Sequence, residues 1–102
     1  MTSTKAIADE NLKSIEYRHP EVRIYVDKIV ELWNPKKVIL YGSKARGDAK
    51  KGSDSDFAVV TDQPIDADEI TGALDVVRYS KAPAELKKII DEEGVVVYER
   101  EK

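Results

Sequence analysis

Asp54 and Asp56 stand two residues apart at the start of the run Phe57-Ala-Val-Val60. Residues two apart in a strand share a face, so the two carboxylates lie side by side at a strand entrance. Like charges at that spacing repel, and a divalent cation relieves the repulsion. Hard oxygen donors of this kind suit magnesium, which usually also holds substrate phosphates. Ten residues upstream lies Gly42-Ser43, which ends the apolar run Val38-Ile-Leu-Tyr41. Gly42 permits close approach of backbone to a ligand. Ser43 adds a hydroxyl, and a short helix starting there would turn free N–H groups toward phosphates. Lys44 and Arg46 supply cations for charge-assisted contacts.

These residues need two strands and a turn to hold them. Val38 to Tyr41 and Phe57 to Thr61 are apolar and β-branched enough to be buried strands. Before them, Pro20-Glu21 opens a helix, with proline at its first position and an acid in its first turn. Val22, Tyr25, Val26, Ile29, Val30 and Trp33 form one apolar stripe on it, so Trp33 is expected in the core. Asn34-Pro35 stops it. Downstream, Asp66 is positioned to cap a short helix over Ala67 to Gly72. Leu74 to Tyr79 reads as a third strand. Pro83 opens a helix with Leu86, Ile89 and Ile90 as its buried stripe, and Val95-Val-Val-Tyr98 is a final strand. The order from residue 20 is αββαβαβ, an α+β mixed sheet with helices expected on one face and the acids on the other, open to substrate. Residues 1–19 carry only Ile7, Leu12 and Ile15 as apolar anchors and are expected to form an N-terminal arm.

The 102 residues make one domain. Cysteine is absent, which excludes thiolate chemistry and cysteine-based zinc sites, and the single His19 cannot build a histidine metal centre. No apolar run is long enough to span a membrane and no signal peptide is present, so a cytoplasmic location is expected. The net charge of −3 argues against general nucleic-acid binding. Its distribution is uneven: Lys36, Lys37, Lys44, Arg46, Lys50 and Lys51 face Asp48 alone between residues 36 and 51, which places positive charge around the glycine turn.

The pattern Gly42-Ser43, ten residues, Asp54-x-Asp56, with Ala45-Arg46-Gly47 inside it, resembles the nucleotidyltransferase superfamily that includes DNA polymerase beta. Over residues 20 to 98 it is most similar to the minimal nucleotidyltransferases (MNT), many of which are antitoxins paired with HEPN-domain toxins. The resemblance implies transfer of AMP from ATP, with two magnesium ions, to a hydroxyl acceptor. It implies Gly42, Ser43, Lys44 and Arg46 around the phosphates and Asp54 and Asp56 on the metals. The resemblance also asks for a third carboxylate. Asp62, Asp66, Asp68, Glu69 and Asp75 are the acids available downstream. Asp62 lies ~20 Å along the strand from Asp56, too far to share its ions. Asp75 sits among Leu74, Val76 and Val77, an unexpected place for an acid, and the family's third aspartate occupies this kind of position. Two departures from the family are visible. The Asp62–Leu74 connection is short, and Ser55 replaces a commonly apolar residue between the two acids.

Residues 20–102 then form the minimal nucleotidyltransferase domain, and the acceptor is expected from elsewhere, first a tyrosine of a HEPN toxin. Two alternatives accompany this expectation: an antitoxin that masks the HEPN protein without catalysis, and nucleotidyl transfer to a small molecule.

Overall fold

The computed structural model describes residues 4–50 and 52–100. Helix α1 (Thr4–Arg18) and helix α2 (Pro20–Trp33) precede strand β1 (Lys37–Tyr41). A one-turn helix α3 (Ser43–Arg46) leads by a loop to β2 (Ser55–Val60). Then come β3 (Leu74–Arg78), α4 (Ala84–Glu93) and β4 (Val95–Glu99), with 3-10 turns at Ala67–Glu69 and Tyr79–Lys81. The sheet order is β3-β2-β1-β4. β1 is antiparallel to both β2 and β4, whereas β2 and β3 are parallel. The α+β mixed sheet expected from the sequence is present.

α2 forms as its stripe dictates. Pro20 occupies the first turn, and Asn34 ends the helix in the left-handed region, its N–H bonded to the Val30 carbonyl. Val22, Val26, Ile29 and Trp33 are buried on Val38, Leu40, Phe57, Val59 and Val97 of the sheet. Each fully buried valine or isoleucine contributes roughly 1.5–3 kcal/mol. The segment 1–19, read as an arm, is helical over its described part. Leu12 and Ile15 of α1 join the same core, and Asn11 Nδ2 donates to the Val96 carbonyl. The sequence pattern there was thin because α1 needs only one narrow apolar edge to close the core over β4.

The expectation that all helices share one face needs correction. α4 lies across the opposite face, where Leu86, Ile90 and Ala82 pack with Ile39, Tyr41, Ala58 and Val77. The reason is strand alternation: Ile39, Ala58 and Val77 point away from α2 and need cover of their own. Asp56 and Asp75 belong to this second face, at the end where β2 and β3 begin. There Asp56 is half-buried and Asp75 exposed.

Candidate active site

β1 delivers the chain to the site and stops at Gly42, whose φ of +80° and ψ of −155° suit glycine alone. A Cβ on Gly42 would run into the Asp56 carboxylate, so turn and acid are in direct apposition. The Gly42 carbonyl accepts from the Ala45 and Arg46 N–H groups at 3.1 and 3.0 Å, and the Ser43 carbonyl accepts from Gly47 and Asp48. α3 is thereby a single tight turn closed by Gly47, also at positive φ. Its first amides, at Ser43 and Lys44, have no carbonyl inside the helix to bond.

The three acids lie at one sheet end. Asp56 is the register partner of Asp75 across the parallel pair and of Tyr41 across the antiparallel pair. Neighbouring strands are ~4.8 Å apart, which places the three side chains on one face within a narrow band. Asp54 precedes β2 by one residue and is exposed. Partial burial pushes the Asp56 carboxyl above its ordinary range, and the charges of Asp75 and Asp54 push it further, against the pull of Lys44 and Arg46. Burial also raises the Tyr41 phenol, with Asp56 and Asp75 adding to the effect. This is an oxygen-only donor set under mutual repulsion, the chemistry that suits a magnesium ion. In the arrangement seen, no three acidic or histidine side chains among the described residues converge closely enough to hold an ion.

The cations expected at the phosphates lie differently. Lys44 is buried, its Nζ donating to Ser55 Oγ at 2.8 Å and pairing with Glu21 at 3.1 Å. Desolvation works to raise the Glu21 carboxyl, but its backbone hydrogen bond, Lys44 and His19 hold it below its ordinary value. Arg46 is exposed and bonds Asp48 at 3.2 Å and Glu93 of α4 at 3.1 Å. Lys36 and Lys37 are not at the turn at all. They sit at the far end of β1, paired with Asp62 at 2.8 Å and Glu99 at 3.7 Å. The basic run is contiguous in sequence, but a strand of five residues separates its two halves in space.

Sequence reasoning passed over Tyr41 and Glu21, and it treated Ser55 only as a departure. The register of β1 on β2 puts Tyr41 beside Asp56, and the long connecting loop hid that register. Ser55 carried a signal: alternation turns it away from Asp54 and Asp56 into the core, where a hydroxyl needs a partner. Lys44 is that partner. Tyr25 of α2 also supports the site, its Oη accepting from the Ala73 N–H at 3.1 Å just before β3.

The family model of the polymerase beta nucleotidyltransferase domain matches residues 26–102. The chain belongs to that family. A search of curated proteins returned no significant match. Among solved structures, the fold is similar to a toxin-antitoxin crystallised with AMP-PNP, at 19% identity and a TM-score of 0.61, over 74% of this chain and 72% of that one. It is also similar to a protein from Sulfolobus solfataricus described as a nucleotidyltransferase, at 22% identity and a TM-score of 0.53, over 100% of this chain and 95% of that one. At these identities the likeness is one of fold. It covers the α+β architecture described above.

Proposed function

We propose that this nucleotidyltransferase moves AMP from magnesium-bound ATP to a tyrosine of a HEPN-domain toxin and so acts as its antitoxin. The observation that carries the reading is the apposition of Gly42 to Asp56, with Asp75 in register beside it. A triphosphate laid along the Gly42-Ser43 turn would bring its α-phosphate toward those acids. Asp54, Asp56 and Asp75 are the residues to hold magnesium, which would offset the phosphate charge. The exposed Asp54 and Asp75 side chains have the freedom to swing toward Asp56 for this. The acceptor hydroxyl then attacks the α-phosphorus, the bond to the β-phosphate oxygen breaks, and pyrophosphate leaves. Asp75 would take the hydroxyl proton. The similarity to a toxin-antitoxin with AMP-PNP supports both the nucleotide and the partner.

The masking alternative has one observation in its favour. Lys44 and Arg46 are already engaged within the protein, which leaves the turn dependent on backbone N–H groups and Ser43. One experiment separates the two readings. The HEPN partner is incubated with this chain, ATP and magnesium, then weighed by mass spectrometry and assayed for RNase activity. Added AMP, absent with Asp56→Asn, is the expected result. Suppressed RNase activity on an unmodified partner would give the masking reading instead.

A further inference from the structure

A cavity of about 470 Å³ opens on the α2 side of the same sheet end, behind the strand that carries the acids. Its wall is set by the junction of α1 with α2 and by the loop before β2. Arg18, His19 and Lys50 ring it, Ser53 contributes a hydroxyl, and Lys44 with Glu21 lines it from within. Asp54, Asp56 and Asp75 do not line it. Arg18 reaches over the loop, for a Cβ on Gly47 would lie 3.5 Å from its Nη1. Of the cations that line the cavity, Lys44 is paired with Glu21, whereas Arg18 and Lys50 have no ion-pair partner among the described residues. Two exposed cations thus face one concave space with an imidazole beside them, an arrangement that attracts anions. The one carboxylate in the lining, Glu21, is engaged by Lys44 at 3.1 Å and lies 3.7 Å from His19 Nδ1.

The lining also limits the ligand. Among the described residues, apart from the His19 imidazole, its lining holds no aromatic ring and no large apolar side chain, so it offers charge and hydrogen bonds but little stacking surface for a base. We propose that this cavity binds a compact phosphate polyanion of the pyrophosphate type, at a site separate from the carboxylate face. Arg18 and Lys50 hold its charge, and Ser53 and His19 complete the hydrogen bonding.

His19 is the only histidine in the chain, so its imidazole proton resonance is an isolated reporter inside the cavity. The test is a titration of metal-free protein in EDTA with sodium pyrophosphate at constant ionic strength, followed by proton NMR. Inorganic phosphate and uncharged adenosine are titrated in parallel. No ATP, metal or partner protein enters the experiment, so its result is independent of the transfer reaction. A saturable shift of the His19 signal is expected with pyrophosphate, a weaker one with phosphate and none with adenosine. The affinity should fall at least tenfold in Arg18→Ala/Lys50→Ala, should fall likewise in the single loop variant Lys50→Glu, and should persist in Asp56→Asn. Absence of saturation overturns the proposal, as does unchanged affinity in the folded Arg18 and Lys50 variants. Loss of the shift in Asp56→Asn would place the anion at the carboxylates and also overturn it.

Discussion

Asp56 and Asp75 face each other as register partners across the parallel β2–β3 pair. Burial and the Asp75 and Asp54 charges raise the Asp56 carboxyl above its ordinary value. A raised carboxyl contributes stability that is complete below the unfolded value, near 3.8, and is lost as pH climbs through the folded value. The metal-free protein is therefore expected to lose stability as pH rises through that window. Asp56→Asn should abolish nucleotidyl transfer, flatten this loss and raise the EDTA melting temperature by a few degrees. Thermal melts across pH 3 to 7, with and without magnesium, check it. A variant with wild-type transfer would remove Asp56 from the site.

Lys44 and Ser55 give a second expectation. Their 2.8 Å bond ties α3 to the residue between the two acids. Lys44→Met leaves the Ser55 hydroxyl buried without its donor and Glu21 without its cation, a cost of about 1–3 kcal/mol. Ser55→Ala in the same chain removes the orphaned hydroxyl, so the double variant should be less destabilised than the two single variants added together. Denaturant melts of the four proteins measure the coupling. Strict additivity would mean that the bond does not act on stability.

The residues of the candidate site were legible where chemistry and strand alternation spoke together. Gly42, Ser43, Asp54 and Asp56 were found as a group because glycine at a strand end and acids two apart each have a physical reason. Asp75 came from the resemblance and from its odd place among valines, and the parallel register then set it beside Asp56. What could not be read was the direction of long side chains. Lys44 sits one residue past Ser43, where a free cation would serve the phosphates, yet one turn of α3 points it into the core. The cover of the second sheet face by α4 was also hidden, because the half-buried stripe Leu86–Ile90 fits either face equally well.

Lys36 and Asp62 are joined at 2.8 Å at the end of the sheet remote from Gly42, both of them exposed. Surface pairs of this kind contribute little, and this one lies too far from the turn to serve the phosphates. Lys36→Ala should leave ATP affinity, transfer rate and melting temperature at their wild-type values. Calorimetry with magnesium and ATP is the check. A marked fall in affinity would restore the whole basic run to the phosphate site.

Two glycines with nearly the same φ separate strain from site geometry. Gly42 has φ +80° and Gly52 has φ +86°, both in the region that L side chains rarely adopt. An alanine at either position carries strain of about 1–3 kcal/mol. At Gly52 nothing lies within 4 Å of the added Cβ, so that strain is the whole cost. At Gly42 the new methyl meets the Asp56 carboxylate and must displace it or reopen the turn. Both variants should melt at a lower temperature than the wild type, with Gly42→Ala lower still. Gly52→Ala should keep its transfer rate at a temperature where it is folded, and Gly42→Ala should lose transfer there. Equal activity in the two folded variants would mean that the apposition of Gly42 and Asp56 is not part of the catalytic geometry.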